Sequence, residues 1–313
     1  MLLNIVFILV GISLVLWGAD RLTEGAVAVA EKLKMPQIVI GLTIVAMGTS
    51  MPEFCVSLVS ALKGTPDLAV GNIVGSNIFN ALLIVGVSAM VAPMAITRVT
   101  ISKDIPFALV ASIVLMIMCL DGHISRLDAA TLFVMFIAFM YITLHGAKIG
   151  KTEQQEESSD IKTEKKPMSA TMSAVWIIIG LACLIGGSNL FVEGATQVAA
   201  QLGVSEAVIG LTIVAGGTSL PELATSVVSA RKGNSGIAIG NVLGSNVFNI
   251  LAILGVTGLI SPMTIKGITT TDLSVMVVSM ILIWFFSFTR STIERWEGVV
   301  LTAVFVAYMW WLL

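Results

Sequence analysis

Residues 41–80 and 210–249 are two copies of one segment. The first reads GLTIVAMGTSMPEFCVSLVSALKGTPDLAVGNIVGSNIFN and the second GLTIVAGGTSLPELATSVVSARKGNSGIAIGNVLGSNVFN. They align without a gap at a constant offset of 169, and 25 of 40 positions are identical. The match continues weakly upstream, where Gly18, Asp20, Glu24, Gly25 and Ala26 align with Gly187, Asn189, Glu193, Gly194 and Ala195. Such a duplication demands two similar halves, so each structural device must appear twice. The solvent for those halves follows from composition. The chain is 57% hydrophobic and 12% charged, against roughly 45–50% and 25% in soluble domains. One soluble core cannot absorb that much apolar sequence in 313 residues. The expected class is an all-α polytopic membrane protein in a lipid bilayer. Nucleic-acid binding is not expected, because 17 Lys and Arg face 19 Asp and Glu and basic residues cluster only in a short linker.

A spanning helix needs about 20 apolar residues. Ten segments qualify, near 2–18, 37–61, 68–92, 105–120, 127–146, 171–191, 205–230, 236–260, 271–288 and 295–313. The first lacks the basic start and small-residue cleavage site of a signal peptide. With the N-terminus on one side, fourteen Lys and Arg fall in loops on the opposite side, and only Lys63, Arg126 and Lys266 on its own. The positive-inside rule makes the opposite side cytoplasmic and sends both termini outward. Residues 147–170 contain KIGKTEQQEESSDIKTEKKP, which reads as a flexible cytoplasmic linker. It is too short for a folded calcium-sensor domain, and no EF-hand loop occurs in the chain. The expected division is 1–146, 147–170 and 171–313, with five spans in each outer part. An odd number makes the second half enter from the opposite side. The expectation is ten transmembrane helices as two inverted five-helix repeats, an architecture of secondary transporters whose sites lie at the midplane between the repeats.

Glu53 and Glu222 occupy equivalent positions about midway along the second and seventh spans. A carboxylate at that depth costs several kcal/mol unless it is paired, and marks a functional site by default. Each sits in G-T-S-x-P-E. Pro52 and Pro221 lack an N–H and displace the carbonyls of Gly48 and Gly217, so the helix should open just before each glutamate. Freed carbonyls at membrane depth belong where they line a cavity or meet an ion. Thr49, Ser50, Thr218 and Ser219 add hydroxyls to the same turns. The third and eighth spans supply G-N-x-x-G-S-N-x-F-N. Ser76 and Asn80 share one helix face there, as do Ser245 and Asn249. Asn72, Asn77, Asn241 and Asn246 read equally as ligands or as interhelical hydrogen-bonding groups. Gly71, Gly75, Gly240 and Gly244 should admit close helix neighbours.

All these donors are oxygen atoms, which suit hard cations rather than zinc or copper. Two facing glutamates carry two negative charges. One Ca2+ neutralises them, and two or three Na+ can do so at separate subsites. Competition for one pair of carboxylates is a physical basis for exchange. Three Na+ for one Ca2+ would move one net charge. Cys55, Cys119 and Cys183 have no metal or disulfide spacing and read as small core residues. His123 and His145 lie near span ends, and no nucleophile–base pair suggests an enzyme. Trp17, Trp296, Trp310 and Trp311 read as interfacial anchors, while Trp176 and Trp284 read as lipid-facing or packing residues.

The two motif pairs closely resemble the α-repeats of the calcium/cation antiporter superfamily, especially its prokaryotic sodium/calcium exchangers. The resemblance covers the full chain and both repeats carry the complete signature. It implies that Glu53 and Glu222 hold Ca2+ together with Thr49 and Thr218. It implies sodium subsites at Ser50, Ser76, Ser219 and Ser245 with the carbonyls of Ala46 and Ala215, and Asn80 and Asn249 flanking the middle. No cofactor is implied beyond the transported ions. The family's mechanism slides the first and sixth spans against the rest. Some relatives, including potassium-dependent ones, carry Asp where this chain has Asn249, which argues against a need for K+. Proton/calcium exchangers of the superfamily carry a Glu shortly after the G-N pair, where this chain has Val74–Gly75 and Leu243–Gly244; this favours Na+ over H+. The competing readings are a proton-coupled calcium or sodium antiporter and a passive cation channel. A bacterial inner membrane is the expected location, and a monomer would suffice.

Overall fold

The computed structural model describes residues 1–149, 168–203, 213 and 215–312. Most of the expected linker and, at the start of the seventh expected span, residues 205–212 and 214 lie outside the described residues. In the first half, α1 is Leu2–Leu33, α2 Gln37–Ile40, α3 Ala46–Thr49, α4 Met51–Leu62, α5 Pro66–Ile78, α6 Val85–Val91, α7 Ile105–Met118 and α8 Arg126–Ile149. In the second, α9 is Ala170–Gln201, α10 Ala215–Thr218, α11 Leu220–Arg231, α12 Ser235–Val247, α13 Leu254–Ile260, α14 Thr270–Ser287 and α15 Arg295–Leu312. Wide π-turns join α5 to α6 through Phe79–Ile84 and α12 to α13 through Phe248–Ile253, making two continuous helical runs. Seven described helices are long and apolar enough to cross a membrane, and one bent pair would make an eighth.

The runs Pro66–Val91 and Ser235–Ile260 form the centre. The most apolar window of the second is wholly buried and that of the first 72% buried, against 22% in α1 and 28% in α9. α1 and α9 therefore pack as a pair on the outside of a central unit. They run antiparallel, and glycines seven residues apart let their backbones touch. A Cβ on Gly18 would lie 2.7 Å from Gly180 O, and one on Gly187 2.8 Å from Gly11 O. Both helices are 32 residues long, roughly 48 Å at 1.5 Å per residue. The expected spans 2–18 and 171–191 were shorter because hydropathy registers only the apolar stretch. α1 continues past it because Asp20, Arg21 and Glu24 find partners on the helix and on Lys232.

The all-helical expectation has one small exception. β1 (Met94–Ala95) pairs with β4 (Thr292–Ile293), and β2 (His123–Ile124) with β3 (Met263–Thr264), both antiparallel. Met94↔Ile293 becomes Met263↔Ile124 when 169 is added to one number and subtracted from the other. Each ladder joins the two halves, and the two ladders are equivalent. His123 lies in one of these loops, with its Nδ1 3.3 Å from the Thr264 hydroxyl.

Several side-chain expectations change. Cys119 is buried and Cys183 half-buried, but Cys55 is exposed, contrary to its reading as a core residue. Trp176 packs edge-on against Trp17. Trp284 is a packing residue whose Nε1 donates to Ile101 O at 2.9 Å. Gly240 and Gly244 admit close neighbours: a Cβ on Gly244 would lie 2.6 Å from Leu42 O. Gly71 faces only the end of the Ile268 side chain.

Candidate functional site: a reciprocal pair of broken helices

The helix break falls where the prolines require it. α3 ends at Thr49, Ser50 adopts φ −83° and ψ 9°, and α4 begins at Met51 with Pro52 in its first turn. The segments Gln37–Thr49 and Met51–Leu62 bend by 48°. Ser219 repeats the break with φ −91° and ψ 7°, ahead of Pro221. Both glutamates thus stand in the first turn of a helix, where unpaired backbone N–H groups favour negative charge.

Glu53 and Glu222 are each only 1% exposed, and each answers to the other half. Ser50 Oγ donates to Glu222 Oε1 at 2.9 Å, and Ser219 Oγ donates to Glu53 Oε1 at 3.0 Å. The second oxygen of each carboxylate, Oε2, is buried with no hydrogen-bond partner. A serine hydroxyl that donates its proton keeps lone pairs free for a cation, so these bonds leave both serines able to act as ligands. Ser219 Oγ also lies 3.3 Å from Ser76 Oγ. Ser245 Oγ is buried and unpartnered.

The asparagines divide into two roles. Asn77 and Asn246 bond across the halves: Asn77 Nδ2 donates to Asn246 O at 3.4 Å, and Asn246 Nδ2 to Asn77 O at 3.5 Å. Their side-chain oxygens accept from the next pair, with Asn80 Nδ2 to Asn246 Oδ1 and Asn249 Nδ2 to Asn77 Oδ1 both 3.1 Å. This fixes Asn80 and Asn249 by their nitrogens and leaves both Oδ1 atoms buried and unpartnered. Asn72 and Asn241 serve the backbone. Asn72 Nδ2 donates to Glu53 O at 3.2 Å and Ser57 Oγ at 2.9 Å. Asn241 Nδ2 donates to Glu222 O at 3.2 Å and Ser226 Oγ at 2.9 Å. Asn241 Oδ1 also accepts from Thr49 Oγ1 at 3.1 Å.

Ser57 and Ser226 are therefore positioning groups that sequence reasoning passed over. Their signal was present: each follows its glutamate by four residues in both copies. Ser188 was missed as well. Its hydroxyl donates to Gly217 O, one of the carbonyls that Pro221 displaces. Its counterpart in the first half is Ala19, which cannot do this for Gly48. Ala46 O, expected as a ligand, already accepts from Ser50 N at 3.0 Å and, at 3.3 Å, shares the single Thr49 hydroxyl proton with Asn241 Oδ1. Thr218 flanks the second break opposite Thr49. Ala215 begins α10, and the placement of its side chain lies outside the described residues.

The arrangement is two carboxylates with amide and hydroxyl oxygens around a buried centre. Among the described residues, no set of three or more acidic, histidine or cysteine side chains forms a metal cage. Ionised, the two carboxylates carry the charge that balances one divalent ion.

Comparison with known proteins gives one result throughout. The sodium/calcium exchanger protein family matches residues 3–145 and 172–313. The inner membrane protein YrbG of Escherichia coli is 36% identical over all of this chain and 98% of its own length. The sodium/calcium exchanger MaX1 of Methanosarcina acetivorans is 31% identical over 98% of this chain and 97% of its own length. Among solved structures, the sodium-calcium exchanger NCX_Mj superposes with a TM-score of 0.87 at 31% identity, covering 100% of this chain and 99% of that one. With both halves matched and the fold shared end to end, this membrane protein belongs to the sodium/calcium exchanger family.

Proposed function

We propose that the chain is a secondary transporter that exchanges Na+ for Ca2+ by alternating access and extrudes Ca2+ from the cytoplasm. The observation that carries this reading is the set of buried, unpartnered oxygens: Glu53 Oε2, Glu222 Oε2, Asn80 Oδ1 and Asn249 Oδ1. Each belongs to a group whose other polar atom is held by a hydrogen bond, so the four are preset for a ligand that only accepts lone pairs. A hard cation is that ligand. Ca2+ sits between the glutamates with Thr49 and Thr218. Na+ ions occupy subsites at Ser50, Ser76, Ser219 and Ser245, with the Ala46 and Ala215 carbonyls completing them. A cation at Ala46 O displaces the Thr49 hydroxyl that now bonds there. One Ca2+ and several Na+ cannot hold the same two carboxylates at once, which couples their movements.

The proposed topology is ten spans as two inverted five-helix repeats, 1–146 and 171–313. Both termini lie outside, residues 147–170 are cytoplasmic, and the membrane is a bacterial inner membrane. The antiparallel α1–α9 pair and the reciprocal contacts between halves support inversion. With three Na+ per Ca2+ the cycle moves one net charge and responds to voltage.

The test is uptake of radiolabelled Ca2+ into proteoliposomes loaded with Na+, beside matched vesicles given only a pH gradient. With three Na+ leaving for each Ca2+ that enters, one positive charge leaves per cycle, so an inside-positive potential should enhance the Na+-driven uptake. Na+-driven uptake alone supports the reading, and uptake driven only by protons replaces it with a proton-coupled antiporter. Ca2+ flux needing no counter-ion gradient indicates a channel.

A further inference from the structure

The two halves are equivalent in sequence but not in how α1 and α9 meet the central unit. α1 is seated on α11. Lys232, just past the end of α11, pairs with Asp20 and lies 3.3 Å from Glu24. Arg21 pairs with Asp20 and with Glu24 at 2.8 Å, and its guanidinium carbon sits 5.1 Å from the Trp176 ring centre on α9. Deeper in the same seam, the hydroxyls of Thr23 and Ser229 lie 3.0 Å apart. Ala224 of α11 is only 8% exposed, in one apolar cluster with Val15, Ala19 and Leu22 of α1.

The equivalent seam, between α9 and α4, is not closed. Lys63 stands where Lys232 stands, and Asn189, Leu190 and Glu193 stand where Asp20, Arg21 and Glu24 stand. Glu193 is exposed and, among the described residues, makes no ion pair. Cys55, the counterpart of Ala224, is exposed, and Val59, the counterpart of Val228, is 46% exposed. Lys232 and Lys63 each lie ten residues beyond a glutamate of the site, about 15 Å along their helices. Since the halves are reciprocal, the two seams flank the site from opposite ends.

We propose that Lys232 with Asp20 and Glu24 is an ion latch holding one entrance to the site shut, and that Lys63 with Glu193 is its partner latch for the other entrance. The proposal rests on the alternating-access reading above and names the residues that position the moving pair of helices. When α1 leaves α11, α9 seats on α4, Cys55 is covered and Lys63 meets Glu193. The latches are unequal: Lys232 has two carboxylates and Lys63 has one, because Asn189 replaces Asp20. The inequality biases the protein toward the arrangement seen here, with the Lys232 entrance shut. By the loop-charge rule that entrance is cytoplasmic.

The test reads Cys55 in protein carrying Cys119→Ala and Cys183→Ala, reconstituted in vesicles, with a membrane-impermeant thiol reagent. Partly exposed ion pairs of this kind shift a two-state ratio by about two- to fivefold. Lys232→Gln should lower the ratio of reactive to protected Cys55 by that factor. Asn189→Asp, which completes the second latch, should lower it by a similar factor, and Lys63→Gln added to Asn189→Asp should restore it. An absence of Cys55 labelling in protein with Lys232 and Asn189 intact, which would place it against lipid, overturns the proposal, as does labelling that is unchanged or faster in both Lys232→Gln and Asn189→Asp. Na+-driven Ca2+ uptake by the unsubstituted protein is measured in parallel and decides the exchange reading by itself, so the two failures are distinguishable.

Discussion

Glu53→Gln removes one negative charge from the site and almost no volume. The glutamine Oε1 can still accept from Ser219 Oγ, which lies 3.0 Å from the present carboxylate. What changes is the other oxygen. Glu53 Oε2, buried and unpartnered, becomes an NH2 group, a donor where a cation needs a lone pair. Removing one partner of a buried charge contact costs about 3–5 kcal/mol. At roughly 1.4 kcal/mol per decade, Ca2+ affinity should fall by about two to three and a half orders of magnitude. Glu222→Gln should fall by a similar amount, because Ser50 Oγ holds that carboxylate in the same way at 2.9 Å. The assay is calorimetric Ca2+ titration of detergent-purified protein, with thermal unfolding as the control for folding. An affinity within about threefold of the unsubstituted protein, under 1 kcal/mol, in either folded variant would refute the assignment. A large loss in one variant alone would refute the reciprocity.

Three further outcomes follow from the same structure. Gly18→Ala should lower unfolding stability by about 1–3 kcal/mol through overpacking, because its Cβ would sit 2.7 Å from Gly180 O; Gly186→Ala, at an exposed position of α9, should be neutral or stabilising by the relief of helix glycine. Asn241→Leu should cost about 1–3 kcal/mol in denaturant titration, since it removes the amide that holds Glu222 O and Ser226 Oγ and accepts from the buried Thr49 hydroxyl. Transport should persist in potassium-free buffer, because Asn80 and Asn249 present neutral amide oxygens to the site; strict loss of transport there would reject that reading.

The candidate site was legible because duplication isolates it. A glutamate after a proline in one apolar span is ambiguous, but the same pair recurring at an offset of 169 is not. The break at Ser50 and Ser219 could also be read, since proline physics is local. Other features depend on neighbours that hydropathy does not register. The length of α1 is one: nothing near Asp20 in sequence reveals that Lys232 will meet it. The roles of Asn77 and Asn246 are another. Their identity allowed ligation or hydrogen bonding, and only the cross-half geometry separates the two. The π-turns beginning at Phe79 and Phe248 have no turn residue to announce them. Cys55 was misjudged because an apolar stretch was equated with a covered one, whereas α9 does not cover that face of α4.

The two small strand ladders bear on ancestry. Each pairs a loop of one half with a loop of the other, never with its own, and the Asn77–Asn246 contacts do the same. Cut at the linker, every one of these contacts could be met by two copies of a single half-length chain related by a two-fold axis. A single chain lets the two copies differ, and Asp20 against Asn189, or Ala19 against Ser188, are differences that a strict homodimer could never hold.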